Sequence, residues 1–280
     1  MQLLGLSLDR PRVMGILNVT PDSFSDGGDL TTAERAVARA RAWDGDVDIL
    51  DIGGESTRPG ARTVPEAEEI ARVVPAIRAL RDAGITTPIS IDTRKAAVAA
   101  AALDAGADMV NDVSAGLYDS AMLGLVAERG VPVCLMHAKG LPETMQDNPV
   151  YDNVVAEVLD HLAERIEAAE AAGIPKGRIV TDPGIGFGKT LDHNLALLGA
   201  LERFHELGCP VLLGASRKRF IGAIGGAEEP KARMPGSIAV ALHAARAGVQ
   251  ILRVHDVPET AQALRLWRAL SGHGPATGSG

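Results

Sequence analysis

Asp92, Asn111 and Asp182 each stand at the end of a short apolar run of the sequence. An ionised carboxylate accepts two parallel N–H bonds, and an amide both donates and accepts. Together, such groups could bind the hydrogen-bonding edge of a flat heterocycle, for example a 2-amino-pyrimidinone. Taken singly, each aspartate could equally cap a following helix. Asp182 fits that alternative least, because a proline and three glycines follow it closely.

Positive charge is predicted at the same place. Arg253 and His255 follow the last apolar run, and Arg58 lies in a glycine-rich loop. Arginine binds phosphate oxygens in a planar, two-pronged geometry, so we expect these three residues to form an anion site that suits a diphosphate. Lys218, two residues after Ser216, could donate to a ring carbonyl or ring nitrogen; the alternative is a solvated surface lysine.

Two loops differ in composition from the other connections. Residues 20–28 read TPDSFSDGG around Phe24, and residues 53–60 read GGESTRPG around Arg58. Either loop alone would be an ordinary surface turn. Because both follow predicted strands at the same end of the fold, the pair favours loops that cover a ligand.

The elements that must position these groups follow from the hydrophobic pattern. Eight short apolar runs alternate with alanine-rich helical stretches, as parallel strands with helical crossovers do. The runs are 13–17, 49–50, 89–91, 109–110, 133–136, 179–180, 211–213 and 251–252. Helices are predicted at 31–43, 63–83, 94–105, 119–129, 151–172, 191–207, 216 to about 247 with a break, and 257–270, the second opening with a capping box of Thr63 and Glu66.

Eight such units predict an α/β protein with a single closed (β/α)8 TIM barrel, in which the strand ends converge on one mouth. A chain of 280 residues, 46% of them hydrophobic, fits one such domain over residues 1–270. Met1–Arg10 would be a short N-terminal extension that forms a strand or plug under the barrel. Residues 271–280 have almost nothing to bury and are predicted to be a disordered tail.

Composition and motifs exclude several other classes. A net charge of -8 argues against nonspecific binding to nucleic acids or anionic membranes. No signal peptide or spanning helix is evident, so we expect a cytoplasmic enzyme. Cys134 and Cys209 are predicted to be buried thiols. Residues 184–190, GIGFGKT, fail the nucleotide P-loop pattern because Pro183 stands where glycine is required. His137 is as easily a core histidine as a functional one.

Eight segments of the chain resemble the dihydropteroate synthase family, in the family's order and over nearly the whole length. They are MGILNVTPDSFSDGG (14–28), DILDIGGESTRPGA (48–61), SIDTRK (90–95), NDVS (111–114), LMHAKGLPETMQ (135–146), DPGIGFGK (182–189), GASRKRFIG (214–222) and RVHDV (253–257). The resemblance implies a TIM-barrel transferase, usually a homodimer. Its reaction joins 6-hydroxymethyl-7,8-dihydropterin diphosphate to 4-aminobenzoate, giving 7,8-dihydropteroate and diphosphate in folate biosynthesis.

The resemblance also implies roles for individual residues. The pterin would be held by Asp92, Asn111, Asp182 and Lys218, with Asp182 on the amino-pyrimidinone edge. Asn18 would coordinate Mg²⁺, and Arg253 and His255 would bind the diphosphate. The 4-aminobenzoate pocket would be built by Phe24, Ser25, Thr57, Arg58 and Pro59, with Phe187 lining the same cavity. The residues expected to act in catalysis are Asp92, Lys218 and Arg253.

The mechanism implied is dissociative, with Mg²⁺ and cationic side chains assisting departure of diphosphate before the arylamine attacks. One residue departs from many family members, in which a serine near the aminobenzoate carboxylate follows the lysine; here it is Arg219. Loop 20–28 carries no insertion beside Phe24, so we expect sulfonamides to inhibit. Two other readings are a methyltetrahydrofolate methyltransferase-like barrel and a non-catalytic pterin-binding paralogue.

Overall fold

The computed structural model describes residues 1–20, 31–56, 63–140 and 144–272 of the chain. In chain order its strands are β1 (Gln2–Leu3), β2 (Leu6–Ser7), β3 (Arg12–Asn18), β4 (Ile49–Gly53), β5 (Ile89–Asp92), β6 (Met109–Asp112), β7 (Val133–Met136), β8 (Ile179–Asp182), β9 (Leu212–Leu213) and β10 (Ile251–Val254). The last eight form one parallel sheet, and nearly every residue in them is buried. Burial on both faces explains why these strands read as unbroken apolar runs.

The sheet closes on itself. Its strand order is β8-β7-β6-β5-β4-β3-β10-β9, and a parallel bridge between Thr181 and Val211 joins the two ends. The Thr181 amide also donates to the Pro210 carbonyl at 2.9 Å. The predicted (β/α)8 TIM barrel is confirmed.

Helices surround this barrel. They are α1 (Thr32–Ala42), α2 (Glu66–Asp82), α3 (Ala96–Asp104), α4 (Met122–Arg129), α5 (Val154–Ala171), α6 (Leu191–Gly199), α7 (Arg219–Gly225), α8 (Met234–Arg246) and α9 (Val257–Leu270), with 3₁₀ helices at Lys176–Arg178, Leu201–Leu207 and Pro230–Arg233. In the parts of the chain that the structure describes, no helix is both long and apolar enough to cross a membrane.

Some predicted helix boundaries were wrong for local reasons. The capping box of Thr63 and Glu66 does not form, because α2 begins at Glu66 and Pro65 precedes it without a side-chain cap. Thr63 instead accepts a hydrogen bond from Arg94 Nη2 at 3.0 Å. The break predicted within 216–247 is present, because Gly226 adopts a left-handed φ of 66° and ends α7; the first helix begins at Arg219, three residues later than predicted.

The predicted N-terminal extension is a small antiparallel hairpin of β1 and β2. Leu3 packs into an apolar cluster inside the barrel, and Leu4, Leu6 and Leu8 pack against the same cluster. The hairpin therefore plugs the amino end of the barrel. Of the predicted disordered tail, Ser271 and Gly272 follow α9 as an exposed turn, and residues 273–280 lie outside the described residues.

Candidate active site

Two rings of side chains fill the barrel interior, because residues two positions apart on a strand point to the same face. We call the buried apolar cluster beside Leu3 the floor ring; its strand residues are Met14, Ile49, Met109, Cys134, Val180, Leu212 and Ile251. Two positions further along β4, β6, β8 and β10, and at the end of β5, lies the mouth ring of Asp51, Asn111, Asp182, Arg253 and Asp92. Strand alternation thus brings the predicted polar residues to one end.

Arg253 is the centre of the mouth ring. Its Nε donates to Asp51 Oδ2 at 2.6 Å, and its Nη2 donates to Asp92 Oδ2 at 2.5 Å. Asn111 Nδ2 lies 3.5 and 3.4 Å from the two oxygens of Asp51. Burial works to lower the pKa of Arg253, but Asp51 and Asp92 outweigh it and raise that pKa. The sequence prediction of concentrated positive charge is therefore incomplete, since these two carboxylates offset the guanidinium.

Asp92 retains an unused acceptor. Its Oδ1 is buried and has no hydrogen-bond partner among the described residues. Burial raises the pKa of Asp92, while Arg253 acts in the opposite direction and Asp51 adds to the increase. A buried carboxylate oxygen without a donor costs free energy, so this atom indicates a place where a ligand donates.

Asp182 is fixed by the loop that follows it. Its Oδ1 accepts from the Gly184 amide at 2.7 Å, and its Oδ2 has no hydrogen bond to a described residue. Burial raises its pKa, and the Gly184 bond and Lys218 oppose that shift. A Cβ on Gly184 would lie 1.8 Å from the His137 carbonyl oxygen. Glycine is therefore required for the close contact that holds this loop.

Lys218 reaches the site from the start of α7, where it is the N-cap residue. Its Nζ donates to the Ile185 carbonyl and lies 4.2 Å from the centroid of the Phe187 ring. A Cβ on Gly186 would lie 2.9 Å from Lys218 Cδ, so the glycine leaves room for the lysine stem. Burial lowers the pKa of Lys218 to about 7, although nearby Asp182 favours the charged form. The alternative of a solvated surface lysine is wrong.

Asn18 and His255 border the ring on either side of β10. Asn18 Oδ1 and Asp92 Oδ2 lie 3.5 and 3.6 Å from the point that a Cβ on Gly53 would occupy. His255 Nδ1 lies 3.0 Å from Ser216 Oγ, which also accepts from the His255 amide at 3.2 Å. Asn18 thus lies on the Asp92 side of the mouth ring, and His255 is held by Ser216 just beyond β10.

Two buried charged residues near the site, Asp51 and Lys189, were not predicted from the sequence. Asp51 ends an apolar run as Asp92 does, so the signal was present. Lys189 was considered only within the rejected P-loop pattern, yet its ammonium is buried and lies 2.8 Å from His137 Nδ1. Burial lowers the pKa of His137 to about 2, and Lys189 adds to the decrease. His137 is thus a neutral, buried histidine.

Five predicted site residues cannot be placed. Phe24, Ser25, Thr57, Arg58 and Pro59 lie outside the described residues. The structure consequently brings together Asp92, Asn111, Asp182, Lys218 and Arg253, with Asn18, Phe187 and His255 around them.

The arrangement combines buried acceptors for a heterocycle with cations for an anion. Asp92 and Asp182 offer free carboxylate oxygens, Lys218 offers a cation, and Arg253 Nη1 has no hydrogen-bond partner among the described residues. Within ranges 1–20, 31–56, 63–140 and 144–272, no group of three or more His, Cys, Asp or Glu side chains could hold a metal by itself.

Comparison with known sequences identifies the family of this chain. A family described as pterin binding enzyme matches residues 14–255. The dihydropteroate synthase of Escherichia coli K12 is 46% identical over 265 residues, covering 94% of this chain and 93% of that protein. A probable bifunctional folylpolyglutamate synthase/dihydropteroate synthase of Haloferax volcanii is 50% identical over 259 residues, covering 92% of this chain and 30% of that longer protein.

Solved structures similar to this chain are also dihydropteroate synthases. A Xanthomonas albilineans dihydropteroate synthase with 4-aminobenzoic acid is 54% identical, with a TM-score of 0.89 and 95% of each chain covered. A Yersinia pestis dihydropteroate synthase in a sulfonamide drug complex is 44% identical, with a TM-score of 0.89, covering 97% of this chain and 99% of that one. The chain belongs to the pterin-binding enzyme family and, within it, to the dihydropteroate synthases.

Proposed function

We propose that the protein condenses 6-hydroxymethyl-7,8-dihydropterin diphosphate with 4-aminobenzoate to give 7,8-dihydropteroate and diphosphate. The observation that carries the proposal is the pair of buried carboxylates, Asp92 and Asp182, each with an oxygen that accepts no hydrogen bond from a described residue. Family membership supports the substrates, because Xanthomonas albilineans dihydropteroate synthase has been solved with 4-aminobenzoic acid and with 7,8-dihydropteroate.

The pterin ring would lie across the mouth ring. Asp182 would accept two parallel N–H bonds from the amino-pyrimidinone edge, a geometry that suits an ionised carboxylate. Asn111 and Asp92 would bind the opposite part of the ring, and Lys218 would donate to a ring carbonyl or nitrogen. Phe187 supports the Lys218 ammonium from one side at 4.2 Å, which agrees with a rigid donor.

The diphosphate would lie between Arg253, His255 and Asn18. Arg253 Nη1 is the donor that remains after Asp51 and Asp92 have taken the other side of the guanidinium. Asn18 Oδ1 is an oxygen ligand of the kind that Mg²⁺ takes when substrate phosphates and water complete its octahedron, so the residues present fit this metal. When bound, Mg²⁺ would neutralise charge on the leaving diphosphate.

The proposed reaction needs no side-chain nucleophile. The C–O bond to diphosphate breaks, diphosphate departs with the electron pair, and the resulting pterin-methyl cation is delocalised into the electron-rich ring. The arylamine nitrogen then forms the new C–N bond and loses a proton. Positioning and electrostatics carry such catalysis. The carboxylate of Asp92, close to Asn18 beside Gly53, would stabilise the developing positive charge.

The 4-aminobenzoate would approach from the side of Phe187 and α7. Arg219 is exposed at the first position of α7, where it could receive the aminobenzoate carboxylate in place of the serine of many relatives. We propose that sulfonamides compete at this place, since the Yersinia pestis enzyme has been solved in a sulfonamide drug complex. The homodimer and the cytoplasmic location stay predictions.

The test is formation of dihydropteroate from the two substrates, with diphosphate release measured in parallel, in the presence of Mg²⁺ and after its removal with a chelator. We expect equimolar products with Mg²⁺ and a large loss of rate without it. Asp182→Asn serves as the control for a damaged pterin site. Pterin binding without product would instead support a non-catalytic protein, and rates independent of Mg²⁺ would contradict the metal assignment.

A further inference from the structure

We propose that Lys189 is a positioning residue for the pterin site, because its buried ammonium fixes the loop of residues 183–189 that places Asp182, Phe187 and Lys218. The assignment of these three residues to the pterin rests on the function proposed above. The role of Lys189 itself rests on contacts within the described residues.

Lys189 is a buried lysine without a carboxylate partner. Its side chain is 2% exposed, and no ion pair joins it to any aspartate or glutamate in the described parts of the chain. Its Nζ lies 2.8 Å from His137 Nδ1, 2.9 Å from the Gly184 carbonyl oxygen and 3.0 Å from the Phe187 carbonyl oxygen. Three acceptors thus match the three N–H bonds of an ammonium. The His137 carbonyl is a fourth, more distant contact at 3.3 Å.

A buried ammonium held only by neutral groups is costly. Burial lowers the pKa of Lys189 well below its usual range, and Lys218 adds to the decrease while Asp182 opposes it. A loop that needed only apolar packing would be stabilised more cheaply by a methionine or leucine at this position. The presence of an amine, whose N–H bonds an apolar side chain lacks, therefore points to a task in arranging carbonyl groups.

The loop presents its carbonyl groups to side chains. The Gly184 and Phe187 oxygens accept from Lys189, and the Ile185 oxygen accepts from Lys218. Gln146 Nε2 donates to the Gly186 oxygen at 2.7 Å, and Tyr151 Oη donates to the Gly188 oxygen at 2.8 Å. The five carbonyls in order are those of Gly184, Ile185, Gly186, Phe187 and Gly188. Lys189 alone takes two of them, one from each end of the turn.

Left-handed glycines make this arrangement possible. Gly184, Gly186 and Gly188 have φ values of 67°, 82° and 62°, and a Cβ on Gly188 would lie 2.3 Å from the Lys139 carbonyl oxygen. The loop is therefore pressed against the segment that follows β7. Lys189 joins these two segments, since it bonds His137 on one and the glycine turn on the other.

The same turn touches each of the three site residues. The Gly184 amide donates to Asp182, the Ile185 carbonyl accepts from Lys218, and the Phe187 ring lies beneath the Lys218 ammonium. Releasing Gly184 and Phe187 from Lys189 would loosen all of these contacts together. Lys189 itself contacts neither Asp182 nor Lys218 by a hydrogen bond, so it acts through the loop.

The test compares two buried lysines, each replaced by methionine. Lys189→Met removes the loop contacts, whereas Lys95→Met leaves Glu55 and Glu69 buried without their cation and so destabilises the protein away from this loop. We expect the dissociation constant for 6-hydroxymethyl-7,8-dihydropterin diphosphate to rise about tenfold or more in Lys189→Met and by less than about twofold in Lys95→Met. Equal losses in both variants would overturn the proposal, because they would indicate general destabilisation.

Amide hydrogen exchange without ligand provides the second measurement. Exchange at residues 184–188 should become faster in Lys189→Met and stay unchanged in Lys95→Met; unchanged exchange in both would overturn the proposal. Failure of the wild-type protein to bind the pterin diphosphate would contradict the proposed function. Amide hydrogen exchange would still test whether Lys189 fixes the loop.

If a lysine variant does not fold, a second pair of variants with smaller expected effects on stability replaces it. His137→Leu removes one acceptor of Lys189, while His243→Leu removes a histidine that bonds the Leu198 carbonyl away from this loop. We expect both pterin affinity and loop protection to fall about threefold in the first variant and to stay constant in the second. No difference between the two variants would contradict the proposal.

Discussion

The floor ring and the mouth ring share strands β4, β6, β8 and β10, on which their residues stand two positions apart, and they differ completely in chemistry. Ile49 and Met109 are fully buried among apolar neighbours, whereas Asp51 and Asn111 directly above them form a buried polar network with Arg253. Burial of an aliphatic side chain contributes about 1.5–3 kcal/mol to stability. Burial of carboxylates costs free energy unless each is paired. The barrel thus separates stability and chemistry along its axis.

Among the variants considered, Arg253→Met should cause the largest losses of activity and of stability. It leaves Asp51 and Asp92 buried without their cation, and it removes the donor proposed for diphosphate. We expect a loss of about 10³-fold in kcat/KM and about 3–5 kcal/mol in the free energy of unfolding. Steady-state kinetics and urea unfolding measure the two effects. Retained turnover would contradict the role of the mouth ring.

Met109→Ala tests the floor ring alone. Truncating a fully buried methionine leaves a cavity, so we expect a loss of about 2–5 kcal/mol in the free energy of unfolding. The value of kcat/KM should change by less than about twofold at temperatures where the variant is folded, since Asn111 keeps its strand position. A large loss of activity in the folded variant would show that the two rings are coupled.

Asp182→Asn should lower activity and raise stability, whereas Met109→Ala should lower stability and leave activity unchanged. We expect a loss of about 10²-fold in kcat/KM, because the amide NH₂ is a donor and the side chain can no longer accept two parallel N–H bonds. Stability should rise, since the raised pKa of Asp182 means that its charged form is disfavoured in the folded protein. This gain should be greatest above the raised pKa and should vanish as pH falls toward the ordinary aspartate value. Urea unfolding across that pH range measures it; a variant less stable at every pH would refute the prediction.

The smallest effect concerns Lys218 and pH. Its pKa of about 7 in the ligand-free protein means that the ammonium is progressively lost as pH rises above 7. If the ammonium donates to the pterin, affinity should fall above pH 7 by up to about tenfold per pH unit, with proton uptake on binding. Calorimetry in buffers of different ionisation enthalpy measures that uptake. Residual binding by Lys218→Met should lack this pH dependence, and the same dependence in both proteins would exclude Lys218 as its source.

The sequence predicted the mouth ring well because strand alternation is regular. Asp92, Asn111 and Asp182 were identified from their positions at strand ends, and the structure places them together with Arg253. Pairing of Asp51 and Asp92 with Arg253 could not be read from the sequence, since it depends on which side chains meet across the lumen. The apolar runs predicted the barrel as well, because each run marks a buried parallel strand and its end marks the mouth of the barrel.

Loops were less predictable, because their geometry depends on contacts between segments distant in sequence. Lys189 was dismissed with a failed P-loop pattern, although its ammonium is enclosed by carbonyls from a turn of left-handed glycines. The predicted capping box at Thr63 is absent because α2 begins only at Glu66, and the Thr63 hydroxyl accepts instead from Arg94, thirty-one residues later. Neither contact has a local signal in the chain.

The N-terminal hairpin shields a cysteine of the floor ring from solvent. Cys134 lies in the floor ring with Leu3, fully shielded from solvent, and burial raises the pKa of its thiol well above the usual range. A thiol reagent must therefore wait until the plug lifts or the barrel opens. The rate at which a thiol reagent labels Cys134 therefore measures how often the amino end of the barrel opens.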